Sequence, residues 1–194
     1  RTYRMLMAVC WLVAKGLLQT QSDGSVRMMD FFDEQRMSRL YEKFILEYYR
    51  KEHPHLHASA SFIDWALDDG ASDGLPAMRS DVTLSAGGRV LIIDAKYHTS
   101  TMQTYYEKQS VKSENLYQIF AYVKNKQAAL ERAGESIEVS GMLLYAATDE
   151  DIQPDATYRM SGNRISATTL DLDCPFEEIR AQLDGIVEEY FPGG

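Results

Sequence analysis

Three charged residues interrupt a β-hairpin that is otherwise apolar, and they constrain the fold more than any other feature of the chain. The segment 79–97 reads RSDVTLSAGGRVLIIDAKY. Its β-branched and leucine run from Val90 to Ile93 is typical of a buried central strand, and it continues directly into Asp94 and Lys96. Because a buried charge is costly unless it is compensated, this hairpin predicts a chemical role for the charges.

Strand geometry predicts that the three charges lie together. Side chains alternate between the faces of a strand, so Asp94 and Lys96, two residues apart, project from the same face. The turn at 86–88 folds the preceding strand back and can bring Asp81 beside Asp94. Two neighbouring buried carboxylates repel each other and call for a cation such as Mg²⁺, which prefers oxygen ligands. Lys96 would then lie within reach of a metal-bound water or a scissile phosphate.

This order of charges resembles the motif of the PD-(D/E)XK nuclease superfamily, an acid on one strand followed by acid, any residue and lysine on the next. Here the motif is Asp81, then Asp94, Ala95 and Lys96. Ser80 departs from the pattern, since the superfamily often has a proline there that shapes the turn and carries no chemistry. For the motif alone, the alternative is a surface hairpin with a solvated ion pair between Asp94 and Lys96.

Four blocks of sequence narrow the resemblance to one family. In chain order they are RMSRLYEKFILEYYRKEHP, LPAMRSDVTL, LIIDAKYH and NLYQIFAYVKNK. From about Met37 to Tyr145 the chain resembles the nuclease portion of the McrC family, partner subunits of 5-methylcytosine-specific McrBC restriction systems. The resemblance implies an endonuclease subunit that needs Mg²⁺ and acts on modified DNA with an AAA+ partner of the McrB type. GTP is expected on that partner and not on this chain, and a second copy of the nuclease subunit is expected for cutting both strands.

The motif and the resemblance together predict the roles of the hairpin residues. Asp81 and Asp94, with the backbone carbonyl of Ala95, would hold one or two Mg²⁺. Lys96 would orient the attacking water or stabilise charge on the phosphate. The rival interpretation is a structural coupling module, with a nuclease fold that dimerises and stimulates the partner GTPase. The intact charges argue against it, because a vestigial site has no reason to retain them.

Two helices are predicted to add further residues to the site. Many members of the superfamily carry an acid on the helix before the sheet, so Glu42 is either an additional metal ligand or a solvated partner of Arg39 or Lys43. Gln118 and Tyr122 are four residues apart and share one helix face. They match a Q-x-x-x-Y pattern that several branches of the superfamily place beside the catalytic lysine. The alternative is a core tyrosine with a glutamine at the boundary.

A net charge of −9 opposes a role in DNA binding, because duplex affinity derives largely from neutralised phosphates. Part of this charge is expected of a metal site, and much of the rest lies in segments predicted to face away from DNA. Basic residues near the motif are the candidates for DNA contact, namely Arg79, Lys108 and Lys112. The balance predicts weak intrinsic DNA affinity, with the partner delivering the substrate.

Alternating histidines and two cysteines are weaker signals. His53, His55 and His57 would share one face of a strand and suggest zinc, but a polar start to a strand after Pro54 is the preferred interpretation. His98, directly after the motif, is left unassigned. Neither Cys10 nor Cys174 has metal or redox spacing, so both are predicted to be buried thiols of a reduced, cytoplasmic protein.

The chain as a whole is predicted to be one α/β domain with a mixed sheet flanked by helices, the restriction endonuclease-like arrangement. Its 194 residues suit a single domain, and a first residue of Arg1 suggests a fragment of a longer protein. The resemblance to the McrC family implies that this fragment is the C-terminal part of the subunit. Helices are predicted at 2–18, 33–50, 113–130 and 175–190, strands at 56–62, 137–146 and 164–172, and the hairpin at 78–97. No apolar run reaches the roughly 20 residues that a membrane span needs.

Overall fold

The computed structural model describes the backbone of residues 26–97, 102–105, 108–148 and 150–193. The α-helices in these residues are α1 (Val26–Glu52), α2 (Ser113–Arg132) and α3 (Phe176–Tyr190), and a 3₁₀ turn covers Pro54–Leu56. The strands are β1 (Phe62–Ile63), β2 (Met78–Arg79), β3 (Val82–Ala86), β4 (Arg89–Lys96), β5 (Met102–Tyr105), β6 (Lys108–Val111), β7 (Glu138–Ala146), β8 (Ala156–Met160) and β9 (Asn163–Leu170).

A five-stranded mixed sheet carries the fold, in the order β3-β4-β7-β9-β8. The outer pairs β3–β4 and β8–β9 are antiparallel, whereas β4–β7 and β7–β9 are parallel. A parallel pair needs a crossover connection, and α2 lies in the one between β4 and β7. The predicted α/β fold with a mixed sheet and flanking helices is therefore confirmed.

The central strands bury both of their faces because helices cover the sheet on each side. Leu91 and Ile93 of β4 pack with residues of α1 and α3, whereas Val90 and Ile92 pack with residues of α2. Since side chains alternate along a strand, the next position of the α2-facing series in β4 is Asp94. The sheet therefore directs the carboxyl group of Asp94, near the end of β4, toward α2.

Helix α2 approaches the sheet closely at Gly141 of β7. A Cβ atom on this glycine would lie 2.7 Å from Cγ2 of Val123 and 2.8 Å from Cγ1 of Ile119. Real Cβ contacts are not so short, so the bare backbone at this position permits the close packing of α2 on β7.

Several predicted elements are present with nearly the predicted bounds. The hairpin turns at Gly87 and Gly88, whose φ angles of 55° and 76° favour glycine. Helix α2 ends before Gly134, which has a φ of 76°, and α3 begins directly after Pro175. Helix α2 begins at Ser113, as predicted, and Lys112 is its N-cap. No helix among the described residues is long and apolar enough to cross a membrane.

Other predicted boundaries are wrong. Helix α1 begins at Val26, so the predicted start of this helix at residue 33 is too late. The strand predicted at 56–62 is replaced by the 3₁₀ turn, because Pro54 suits the first position of a helical turn. Strands β5, β6 and β8 were not predicted. The helix predicted at 2–18 lies outside the described residues.

The histidine run does not form one face of a strand. Nε2 of His53 lies 2.6 Å from Oδ1 of Asp184 on α3, and His57 adopts a left-handed φ of 47°. The predicted polar start of a strand is therefore wrong, and His53 instead joins α1 to α3. Cys174 is partly exposed rather than buried, and Cys10 lies outside the described residues.

Candidate active site

Asp94 and Lys96 form an ion pair at the end of β4. Nζ of Lys96 lies 2.7 Å from Oδ2 of Asp94, and the two side chains are 15% and 4% exposed. This strand has β3 on one side and β7 on the other, so the pair lies in the interior of the sheet. The alternative of a solvated surface pair is wrong, because burial at a central strand removes most of the solvent.

Asp81 lies directly before β3, and the register of the β3–β4 hairpin leads it to a position opposite Asp94. Its Oδ2 accepts the backbone N–H of Ala95 at 2.8 Å. Burial of the carboxyl, and next the repulsion from Asp94, raise the pKa of Asp81 to about 7, and the Glu42 charge adds to the effect. Acidic groups that repel one another in this way are stabilised by a bound cation.

Ser80 holds the backbone next to Asp81 in the position where the superfamily often has proline. Its side chain is buried, and its Oγ donates to the Ser61 carbonyl at 3.2 Å and accepts the Ser61 N–H at 3.1 Å. The same hydroxyl lies 2.8 Å from Oγ1 of Thr83. These hydrogen bonds restrict the turn by a different chemical means from a proline ring, so this departure leaves Asp81 well positioned.

Helix α2 supplies two polar groups that follow Lys96 in a chain of hydrogen bonds. Nζ of Lys96 donates to Oε1 of Gln118 at 3.0 Å, and Nε2 of Gln118 donates to the hydroxyl of Tyr122 at 2.9 Å. Tyr122 is also a buried member of the apolar cluster under α2. Tyr122 therefore packs in the core and also orients the glutamine that contacts the lysine, and its role in the site stays a prediction.

Glu42 lies on the α1 wall of a cleft of about 550 Å³ that Asp81 also lines. The Ser38 hydroxyl donates to Oε1 of Glu42 at 3.1 Å. None of the ion pairs among the described residues joins Glu42 to Arg39 or Lys43. This arrangement favours Glu42 as a further acidic group of the site over a solvated ion pair, and its role as a ligand stays a prediction.

The donor atoms of the site suit a hard cation. Within the described ranges, no three Asp, Glu, His or Cys side chains form a metal cluster by themselves. Mg²⁺ commonly takes one or two carboxylates from the protein and completes its coordination with water and substrate phosphate. The carboxylates of Asp81 and Asp94 and the carbonyl of Ala95 offer only oxygen, so these residues fit the predicted ion.

The residues predicted to contact DNA do not all lie at the acidic site. Arg79 of β2 is exposed and lines the cleft together with Asp81. Lys112 lies at the start of α2, and the side chain of Lys108 on β6 is outside the described residues, as is His98. Among the described side chains of this group, the structure brings Arg79 to the acidic site.

Arg39 and Lys43 also line the cleft, and they were considered above only as partners of Glu42. Their spacing of four residues, which places both on one side of α1, was the signal available in the sequence.

Comparison with known families agrees with this geometry. A family model described as McrBC 5-methylcytosine restriction system component matches residues 1–146 of the 194. The chain belongs to this family. The McrBC match includes the hairpin that carries Asp81, Asp94 and Lys96, as well as α2 with Gln118. The predicted resemblance to a family of restriction system components is confirmed.

A curated McrBC relative extends the match to the rest of the chain. The Type IV methyl-directed restriction enzyme EcoKMcrBC of Escherichia coli (strain K12) is 29% identical over 194 residues. The match covers 98% of this chain and 54% of the relative, so the chain spans about half the length of that protein.

Proposed function

We propose that the chain is the nuclease part of a McrC-type restriction subunit, which hydrolyses phosphodiester bonds in DNA that contains 5-methylcytosine. The observation that carries the proposal is the buried Asp94–Lys96 pair with Asp81 opposite, beside an open cleft. Membership of the McrBC family supports modified DNA as the substrate and a GTP-hydrolysing AAA+ partner of the McrB type. A second copy of the subunit would be needed to cut both strands.

The site residues divide the chemistry among them. Asp81, Asp94 and the carbonyl of Ala95 would hold Mg²⁺, with Glu42 as a further acidic group. When bound, the ion would polarise the scissile phosphate and lower the pKa of a water molecule. The hairpin holds these ligands in place because the Ala95 N–H binds Asp81 and the strand ladder fixes Asp94.

Lys96 is the cation that the protein itself contributes. Its ammonium group is fixed between Oδ2 of Asp94 and Oε1 of Gln118. From there it can orient the attacking water or stabilise the negative charge that develops on the phosphate oxygens. Because the hydrogen bond to Gln118 limits the rotation of a long flexible side chain, the charge is positioned before the substrate arrives.

The experiment that tests the proposal uses the full-length subunit with its GTPase partner and plasmid DNA with or without 5-methylcytosine. We expect cleavage of the methylated plasmid that requires Mg²⁺ and is lost on chelation. Stimulated GTP hydrolysis with an intact plasmid would contradict the proposal and would favour the coupling module.

Gln118→Ala tests the support of Lys96 from α2. We expect cleavage at saturating Mg²⁺ to slow by about 10-fold or more, because a hydrogen bond to a charged group contributes about 1.5–3 kcal/mol. The melting temperature should change little. Gln127→Ala is the matched control for cleavage, since Gln127 lies on the same helix but contacts Glu131 and Asn163 instead of Lys96. If Gln118→Ala lowers only the melting temperature, Gln118 is a packing residue.

The charge of −9 leads to a prediction about methyl recognition. We expect the chain alone to bind methylated and unmethylated duplex equally, with a Kd of roughly 10⁻⁴ to 10⁻⁶ M at physiological salt. A titration of labelled duplexes with and without 5-methylcytosine across a salt series measures this. Tight binding that discriminates the methylated duplex would place the specificity in this chain rather than elsewhere in the assembly.

A further inference from the structure

The cleft beside Asp81 carries basic side chains that the motif does not use. Arg39 and Lys43 lie on its α1 wall and Arg79 lies on β2, two residues before Asp81. All three are exposed. None of the ion pairs among the described residues involves any of them. Arg50 of the same cleft differs, because it pairs with Glu47 at 2.9 Å.

Arg79 is held in place by an exposed aromatic ring. Phe62 of β1 is its direct cross-strand neighbour, and Cζ of the arginine lies 5.7 Å from the centroid of the phenylalanine ring. The phenylalanine is 71% exposed, so it contributes little to the core. A ring beneath a guanidinium group restricts its orientation through cation–π attraction. The pair therefore presents a positioned positive charge close to the acidic site.

We propose that this cleft binds the phosphate backbone of the DNA strand next to the scissile phosphate. Arg39 and Lys43 contact phosphates along one wall, and Arg79, positioned by Phe62, contacts a phosphate on the other. The inference rests on the proposed nuclease function and adds the path of the substrate strand.

Charge and continuity favour DNA as the occupant. The net charge of the chain is −9, yet one cleft is lined by three exposed cationic side chains. None of the three has an acidic partner in the described structure. The same cleft reaches Asp81, so an anionic polymer that lies on the cations would place a neighbouring phosphate beside the residues that would hold Mg²⁺.

The test measures duplex binding by the full-length subunit in complex with its GTPase partner. All variants carry Asp94→Asn so that binding is measured without cleavage, and a fluorescein-labelled duplex containing 5-methylcytosine is titrated across a salt series. Adding Arg39→Ala together with Lys43→Ala should weaken binding. The plot of the logarithm of the association constant against the logarithm of the salt concentration should become less steep by about 1.8, because each neutralised phosphate contributes about 0.9 to the steepness. Melting temperatures measured in parallel confirm that the variants are folded.

Arg159→Ala is the matched control. It removes one positive charge from an exposed position on β8, at the opposite edge of the sheet from β3, and should leave the slope unchanged. Phe62→Ala should weaken binding by about 2- to 5-fold through the loss of Arg79 orientation, and Phe62→Leu should do the same because it also lacks the aromatic face.

The outcomes separate this inference from the proposed function. If the complex without any substitution cleaves methylated plasmid but the cleft variants bind with the slope of Arg159→Ala, the strand does not lie in the cleft and the inference is wrong. If that complex neither binds nor cleaves DNA under any salt condition, the nuclease proposal fails and the inference fails with it.

Discussion

Asp94→Asn in the full-length subunit is expected to lower the rate of DNA cleavage by about 100-fold or more, while the protein remains folded. The substitution removes a charged oxygen donor of the proposed metal site and the carboxylate that fixes Lys96. Asparagine has nearly the same shape, so packing at the end of β4 is preserved. Plasmid nicking at a series of Mg²⁺ concentrations measures the effect on cleavage.

The effect of Asp94→Asn on stability has two opposing parts. Loss of the charge relieves the repulsion that helps to raise the pKa of Asp81, but it also removes the partner of a buried ammonium group. Lys96 keeps its hydrogen bond to Gln118 and can still donate to the amide oxygen of asparagine. We therefore expect the melting temperature to change by only a few degrees. A change of about 1 kcal/mol in the free energy of unfolding shifts the melting temperature of a protein of this size by about 2–4 °C.

The control for this substitution is Asp155→Asn, the same chemical change at an exposed position outside the site. It should leave both cleavage and melting temperature unchanged. Nicking by the Asp94→Asn subunit at the rate of this control would remove Asp94 from the mechanism.

The parts of the site that are adjacent in a strand or hairpin could be predicted from the sequence. The alternation of a strand sets Asp94 and Lys96 on one face, and a glycine turn fixes the register that brings Asp81 opposite. In the same way, the four-residue spacing of a helix pairs Gln118 with Tyr122. These relations depend on backbone periodicity alone, so they do not require knowledge of how the elements pack.

The predictions of strands failed where a strand lacks the apolar alternation or where a turn residue prevents a strand from forming. Strand β8 is an edge strand with mostly exposed residues, so it shows no apolar alternation. Its connection to β9 is nevertheless a two-residue turn in which Ser161 and Gly162 have φ angles of 48° and 89°. A polar residue followed by glycine is a hairpin signal that could have been used. The 3₁₀ turn at Pro54 overrode the alternation of the residues that follow it.

The cleft could not be predicted because its walls come from distant parts of the chain. Arg39 and Arg79 are brought together only when α1 packs on the sheet face opposite to α2, and the pairing of β1 with β2 places Phe62 beside Arg79. Each of these contacts depends on tertiary packing. The residues of the candidate site are thus placed by local structure, whereas the proposed path of the DNA strand depends on how the elements pack together.

That assembly can be perturbed at the point where α2 approaches the sheet most closely. Gly141→Ala is expected to lower the free energy of unfolding by about 1–3 kcal/mol, because the new methyl group would overlap Val123 and Ile119. The melting temperature should fall by roughly 2–12 °C, measured by thermal unfolding. Since α2 carries Gln118, a displaced helix should also weaken the contact with Lys96 and slow cleavage.

Gly185→Ala is the matched control and is expected to act in the opposite direction. Gly185 lies within α3, and a Cβ atom there meets nothing within 4 Å. Alanine should therefore stabilise the protein by about 0.5–1 kcal/mol through its higher helix propensity and should leave cleavage unchanged. If Gly141→Ala raised the melting temperature as Gly185→Ala does, α2 would have room to accept a side chain from β7. The position of Gln118 would then be set by its own hydrogen bonds and not by the close packing of α2 on the sheet.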